Sequence, residues 1–394
     1  FKVPLVCDLS EAKGMMKTMN EKGLTTIQLK EINKSKVYQY IYSKKKTSKL
    51  QIVQDLQMGL STVSQNLTAL EKAGLIQRDG FFDSTGGRKA QAIQIVSDFK
   101  ISIGIAILKN IYHVTAVDLY GNAFYTDTFS LPYSDTPDYY EQISATVLEF
   151  IRTNHYEEKV LGISIATQGI TSQDNSVVTY GKIMENTGMH LKNFSQYFPY
   201  PCHLEHDSKS AAYLELWNHP DLDSALILLL NRNLGGAIVT NYQIHQGSSM
   251  HSGAIEHICI NSDGPLCYCG SHGCLETYCS ANALEHTSGL TVKDFFFLLR
   301  EKKSPQIKAI WEDYLKHLSF AIRNLNLVID APVILSGYLA PYFTDKDIKT
   351  LTELINLSSP FPMPENNILL GVHGQYTPAI GAALFYIRQF IKTV

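Results

Sequence analysis

Three cysteines and two glycines packed into Cys267-Tyr268-Cys269-Gly270-Ser271-His272-Gly273-Cys274 constrain this chain more than any other stretch, and His257 lies ten positions upstream. Thiols this crowded are best explained by a shared metal. Tetrahedral Zn²⁺ takes four N/S ligands, and Cys₃His supplies them with no position left for water. The two glycines let the backbone turn so that the thiolates converge. Cys267 and Cys269 sit too close together for an easy disulfide, and thiols in a reducing cytosol stay reduced. The sequence thus predicts a structural zinc, one per chain, on His257, Cys267, Cys269 and Cys274, with no chemistry at the metal. Buried free thiols are the alternative.

With 394 residues and 45% apolar content, the chain has material for two or three domains. The apolar run Ala225–Leu230 has the length of a buried strand and is far short of a membrane span. The opening segment is interrupted by Asp8 too soon for an export signal, so a cytoplasmic protein is expected. Charge divides the chain. Residues 1–97 hold 15 Lys and Arg against 8 Asp and Glu, whereas the remainder holds 19 against 29. A basic front on an acidic body is the asymmetry of a nucleic-acid-binding module joined to something else. Between positions 30 and 50, seven lysines, Lys44, Lys45, Lys46 and Lys49 among them, oppose only Glu31.

The same front carries helix signals. Asn33 is placed to cap a helix with Val37, Tyr40 and Ile41 on one stripe. Ser48-Lys49-Leu50-Gln51 reads as a capping box, with Leu50, Val53 and Leu56 facing inward. After Gly59, Ser61 is placed to cap a third helix, ending near Gly74, that buries Val63, Leu67 and Leu70. Helix, helix, tight turn, helix is the helix-turn-helix order. Ser61, Thr62, Gln65 and Asn66 then offer short polar groups to base edges, and Lys49 a cation to the backbone. Leu75–Arg78 and Ala92–Ile95 alternate as wing strands. At the tip, Gly86-Gly87-Arg88-Lys89-Ala90 sets Arg88 and Lys89 on flexible glycines, within reach of a narrow minor groove. The expected layout is an N-terminal extension over 1–24, a winged helix-turn-helix over 25–97, and an effector body over 98–394.

The body alternates strands and helices, which predicts an α/β fold. Ile101–Ile107 and Tyr112–Asp118 read as paired strands, Tyr140–Arg152 as a helix, Val160–Ile165 and Val333–Leu335 as buried strands, and Pro378–Phe390 as a closing helix. The plan occurs twice, which implies two lobes with a ligand cleft at the carboxyl ends of the strands.

These residues resemble the ROK family of repressors, open reading frames and kinases. Its signature C-x-C-G-x-x-G-C-x-E is met in full by Cys267, Cys269, Gly270, Gly273, Cys274 and Glu276. Gly86–Ala90 resembles the GGR-P-A linker of the family's repressors, and the likeness runs from about Asn33 onward. The resemblance implies a two-lobed, actin-like (ribonuclease-H-like) fold with a sugar in the cleft. It also implies sugar contacts at Asn186, Asp207, His257 and Glu276. In family kinases an Asn-Asp pair supplies the general base. Here Asp207 holds the base position and His206 stands where the Asn would be.

The departures point away from catalysis. The kinase loop Asp-x-Gly-Gly-Thr reads Ala106-Ile107-Leu108-Lys109-Asn110, and the second phosphate loop reads Asn231-Arg232-Asn233. Neither offers the bare backbone amides that cradle phosphate. In Gly253-Ala254-Ile255-Glu256-His257 the sugar-gripping Glu is Ala254, and Glu256 carries a carboxylate two places on. The expectation is a non-enzymatic, sugar-responsive repressor of carbohydrate genes, most like the family's xylose-type and glucose-type repressors. It would hold an inverted-repeat operator as a homodimer or a tetramer. An active kinase with an appended DNA-binding domain remains open. So does a regulator run by a protein partner.

Overall fold

The computed structural model describes residues 25–82 and 89–394; the 1–24 extension and Arg88 lie outside them. Its first helix, α1 (Thr26–Lys44), starts earlier than the sequence suggests. Thr25 forms a reciprocal capping box with Gln28, which leaves Asn33 in the helix interior and not at a cap. In α2 (Lys49–Leu56) Ser48 accepts from the Gln51 amide, as expected. The return half of that box is replaced by Gln51 accepting from Thr47. Ile52 fills the core of this module while Leu50 is 62% exposed, a correction to the expected inward face. Eight residues with apolar groups on two sides do not fix the helix phase.

In α3 (Leu60–Lys72) the cap is Gly59, and Ser61 is an exposed residue of the first turn. Val63, Leu67 and Leu70 are buried as expected. The hairpin of β1 (Ile76–Phe81) and β2 (Gln91–Ile95) follows, antiparallel, with Ile76 opposite Ile95.

Among the described residues, two five-stranded sheets carry the body. The first uses β3 (Ile101–Ile107), β4 (Ile111–Val117), β5 (Ala123–Ser130) and β6 (Val160–Thr167). Helix α4 (Pro137–Thr153) makes the crossover into β6 and buries Tyr140, Ile143, Val147 and Ile151, one face of a 3.6-residue repeat. A small hairpin, β7 (Ile170–Thr171) with β8 (Val178–Tyr180), and a single turn, α5 (Lys192–Ser195), precede the last strand, β9 (Cys202–His206). The spatial order is β5-β4-β3-β6-β9. The β3–β6 and β6–β9 pairs are parallel, and β4 runs antiparallel to both of its neighbours.

Helix α6 (Asp207–Asn218) leads into the second sheet: β10 (Ala225–Leu230), β11 (Leu234–Thr240), β12 (Gln243–Ile244), then β13 (Val333–Ser336) and β14 (Ile368–Leu370). Its order, β12-β11-β10-β13-β14, repeats the first strand for strand. Between β12 and β13 lie the cysteine loop and α7 (Glu276–Cys279), α8 (Ala281–Ser288), α9 (Val292–Arg300) and α10 (Pro305–Val328); α11 (Asp345–Asn356) joins β13 to β14.

The closing helix α12 (Thr377–Thr393) returns to the first lobe, packing on β3, β6 and α6. Gly104 and Gly381 allow this, since a Cβ on either would overlap backbone of the facing element, Ala379 and Ser210 respectively. The front module shares a core with the body. Val37, Ile41, Ile52 and Leu70 belong to one buried cluster with Val117, Leu119, Leu214, Leu384 and Ile387. At its centre the Tyr42 hydroxyl donates to the Leu119 carbonyl at 2.9 Å, and its ring stacks on Tyr120 with centroids 5.1 Å apart. Trp217, at the far end of α6, lies edge-on to Tyr42 and donates Nε1–H to the Tyr120 carbonyl.

Candidate functional site

The two halves of the site come from opposite lobes. From the first lobe, β6 ends in Thr167 and passes Gln168 and Gly169 into the cleft, and β9 ends at His206, which leads straight into α6. Asp207 is therefore the first residue of that helix. A carboxylate there sits at the positive end of the helix dipole. His206 Nε2 lies 3.3 Å from Asp207 Oδ1, and the Ser208 hydroxyl donates to the same oxygen at 3.2 Å. Burial nevertheless dominates and pushes the Asp207 carboxyl up to about 7, while it holds His206 down at about 3.

From the second lobe, the turn of 3₁₀ helix at Ile255–His257 delivers Glu256 and His257. Both line the compartment together with Ala254 and Asp207. Glu256 is held up at about 8, by burial first and then by the neighbouring Glu276 and Asp207 carboxylates. Its Oε2 is buried and without a hydrogen-bond partner among the described residues. A buried acceptor left open in this way calls for a donor from a ligand or water. The carboxylate missing at Ala254 is thus present two residues later, on the same wall.

Asn186 and Glu276 are placed differently. Asn186 is buried behind the wall, donating to Thr167 Oγ1 at 3.0 Å. Glu276 accepts from Asn233 Nδ2 at 2.7 Å and from the Leu234 amide at 2.6 Å, tying the cysteine loop to the β10–β11 turn. Neither lines the compartment. The lining instead includes Gln168, Tyr180, Lys182 and Tyr268, which no sequence pattern singles out. Tyr268 occupies the variable position of the cysteine signature, and for the others the signal that existed was the nearness of Tyr180-Gly181-Lys182 to Asn186.

His257 turns its other face to the cysteines. His257, Cys267, Cys269 and Cys274 place one donor atom each within 4.8 Å of one another. Cys267 Sγ lies 3.8 Å from His257 Nδ1, and Cys269 Sγ lies 3.7 Å from Cys274 Sγ. These match the edges, about 3.8 Å, of a tetrahedron with metal–sulfur bonds of about 2.3 Å. They exclude a disulfide, whose sulfurs sit about 2.05 Å apart. The loop is built for this: Gly270 and Gly273 adopt φ of +95° and +66°. The four residues could hold a metal ion. Its charge would in turn favour the ionised forms of Glu256 and Glu276.

The positions of the kinase-type phosphate loops border a cavity of about 330 Å³ and carry side chains in place of bare backbone. Leu108 packs onto an alanine patch of Ala106, Ala166, Ala379 and Ala382, where a bare loop would leave room. In the second loop, Arg232 is paired with Glu285 at 3.1 Å and Asn233 is bound to Glu276. Of the residues expected to meet DNA, Lys49, Ser61, Gln65 and Lys89 are exposed, whereas Thr62 and Asn66 are half-buried. Lys44 is engaged, lying 4.0 Å from Asp55 and over the Tyr40 ring. Lys45 and Lys46 are exposed.

Comparison with known proteins places this geometry. The chain is 26% identical over 264 residues to the DNA-binding transcriptional dual regulator NagC of Escherichia coli K12, covering 65% of this chain and 64% of that protein. It thus spans under two thirds of that relative's length. It is 22% identical over 355 residues to the xylose repressor of Caldicellulosiruptor bescii, covering 84% and 89% of the two chains. In structure it resembles a ROK family transcriptional regulator, a homolog of the Escherichia coli MLC protein, with a TM-score of 0.70 at 17% identity over 93% of this chain and 97% of the other. It also resembles a ROK family glucokinase from Streptomyces griseus, solved with glucose and AMPPNP, with a TM-score of 0.61 at 19% identity over 72% and 98%. These likenesses show the two-lobed, actin-like fold of sugar kinases. The ROK family model matches residues 102–389, most of the body and both halves of the site, and the chain belongs to the ROK family.

Proposed function

We propose that this protein is a sugar-responsive, DNA-binding transcriptional repressor of carbohydrate genes, acting in the cytoplasm, and not an enzyme. One observation carries the reading. A basic, three-helix module with a hairpin shares its core with a ROK body whose phosphate-loop positions carry Leu108 and the Arg232–Glu285 pair in place of bare glycines. NagC and the xylose repressors are regulators by name, which agrees. The module, residues 25–97, is read as a winged helix-turn-helix, with 1–24 as an extension and 98–394 as the effector domain. The cysteine loop holds a structural zinc. A sugar in the cleft accepts and donates hydrogen bonds at Asp207, Glu256 and His257, with Asn186 and Glu276 behind them as supports. Closure of the lobes must then change the module's fit to DNA, which requires the sugar to bind the two arrangements with different affinity. Helix α6 is the physical link, for Asp207 opens it in the cleft and Trp217 ends it against Tyr42 of α1.

Two measurements test the halves of this reading. Sugar-dependent ADP release with ATP is expected to stay at the level of an Asp207→Ala control; turnover above it would make the protein a kinase. On DNA, a two-fold dimer is expected to select an inverted repeat with half-sites one or two helical turns apart. Gln65→Ala should relax base preference at one position of each half-site, at a cost of about 1–3 kcal/mol. Asn66 and Thr62 flank it, Ser61 and Lys49 sit towards the backbone, and Arg88 and Lys89 extend the contact beyond the wing. Lys45→Ala and Lys46→Ala should weaken all sequences alike. Binding-site selection on these variants decides: an altered sequence from a lysine variant with Gln65→Ala unchanged would put the wrong face in the groove.

A further inference from the structure

The segment that leaves His257 runs back along the cysteine loop. Ile260 donates its amide to the Gly273 carbonyl at 2.9 Å, and Leu275 donates to the Ile258 carbonyl at 2.9 Å. These two bonds flank a single antiparallel bridge that sets Cys259 directly opposite Cys274. The bonds join the neighbours and not the two cysteines, so this is the non-hydrogen-bonded kind of antiparallel pair. Such pairs hold their Cα atoms about 4.5 Å apart with side chains on one face. Disulfides span Cα separations of about 4.4–6.8 Å, so a bridge here asks little of the backbone. The approach is also rigid, because a Cβ at Gly273 would overlap the Asn261 carbonyl. The Cys259 thiol already leans on the loop, donating to the His272 carbonyl at 3.5 Å.

The two thiols differ in access. Cys259 is exposed, whereas Cys274 is buried with its Sγ 3.7 Å from that of Cys269. Cys259 is not one of the four residues whose donor atoms converge. A Cys₃His shell is complete without it. That leaves a spare, accessible thiol beside a ligand thiol. An exposed cysteine with a second one in reach is the arrangement that peroxide converts to a disulfide.

We propose that Cys259 is a peroxide-modified thiol that takes Cys274 into a disulfide and so withdraws it from the metal shell. This rests on the cluster holding zinc, as read above. The Cys259 sulfur attacks hydrogen peroxide; an S–O bond forms, the O–O bond breaks and one water leaves. The Cys274 thiolate then attacks the sulfenic sulfur. An S–S bond forms, the S–O bond breaks, and the departing hydroxide takes up a proton to become a second water. The two sulfurs give two electrons to one peroxide, and the metal's charge does not change. His257, which also lines the cleft, is left in a shell short of one ligand, so the oxidation loosens the cleft wall.

The test treats the zinc-loaded full chain with a modest excess of hydrogen peroxide beside a zinc-binding dye. After the remaining thiols are alkylated, peptide mapping without reductant is expected to show a Cys259–Cys274 linkage as the main cross-link. The dye should take up about one zinc per chain. Cys259→Ser should start with the parent's zinc content and melting temperature, since the residue is exposed and outside the shell. Under peroxide it should release zinc ten-fold or more slowly, and Cys259→Ala should match it. Dithiothreitol with added zinc should restore the oxidised parent, as a disulfide allows and a sulfinic acid does not. Zinc leaving Cys259→Ser as fast as the parent would overturn the proposal and leave the metal site standing. Cross-links confined to Cys267, Cys269 and Cys274 would do the same, as would a Cys259–Cys274 linkage in protein that keeps its zinc. Protein holding no zinc before peroxide would remove the metal reading, and the proposal with it.

Discussion

Protein stripped with a strong chelator is expected to lose about ten degrees of melting temperature and to recover them when zinc is restored. Elemental analysis of untreated protein should give about one zinc per chain. Structural zinc contributes apparent binding free energies of ~10 kcal/mol or more in small domains, where it is the whole core. Here the loop is backed by Leu275, Cys279 and the second-lobe core, so a smaller share, several kcal/mol, depends on the metal. For a domain of this size each kcal/mol shifts the midpoint by about 2–4 °C. Cys269→Ser should reproduce most of the loss, because the remaining thiolates would be left converging on an incomplete shell. An unchanged melting curve after verified metal removal would reduce the cluster to buried thiols.

The second large effect concerns Asp207. Asp207→Ala is expected to leave operator binding within about two-fold while abolishing release by the effector. Hydrogen bonds to a buried charged acceptor and the unsatisfied donors left behind together amount to about 3 kcal/mol, a hundredfold in affinity. Release at unchanged effector concentration would move the ligand elsewhere in the cleft. The pH dependence has a defined sign. The folded-state carboxyl is raised to about 7, so its contribution to stability is fully present below the unfolded value near 4 and is lost as pH rises through 7. Asp207→Asn should therefore gain stability relative to the parent at pH 8 and not at pH 4. The ionised acceptor is the form above 7, so effector affinity should weaken between pH 8 and 6 in the parent and weaken less in the variant, where only Glu256, held up at about 8, still titrates. Denaturant melts and titrations at four pH values read both.

What the sequence disclosed, and what it hid, follows from how far apart the contributing residues lie. The His/Cys cluster that could hold a metal was legible because its three cysteines sit within eight residues and a shared metal demands a fixed ligand type. The repeated sheet order was legible as two strand-pair plans, although nothing in the sequence fixed that β12-β11-β10-β13-β14 would copy its partner. Helix phase was less secure. Leu50 and Ile52 are equally apolar, and only packing against α3 decides that Ile52 enters the core. Asn33 is a good cap by type, but Thr25 and Gln28 cap each other and the helix simply runs through it. Lys182 and Gln168 reach the cleft from separate connections, and no spacing rule links them to Asp207. Glu276, part of the cysteine signature, serves the turn at Asn233 and Leu234 and does not line the cleft.

The core shared through Tyr42, Leu119, Tyr120 and Trp217 has a consequence for how such a protein can be rebuilt. A reading head on a loose tether could be swapped between bodies at will. The three-helix module is seated on aromatic and aliphatic surface of its host, so cutting the chain near Val96 would bare Tyr42 on one side and Leu119, Tyr120 and Trp217 on the other. Chimaeras that exchange the front module among relatives must therefore carry the contact residues of α1, the Leu119–Tyr120 turn and the end of α6 together. Heating the intact protein should melt head and first lobe in a single transition.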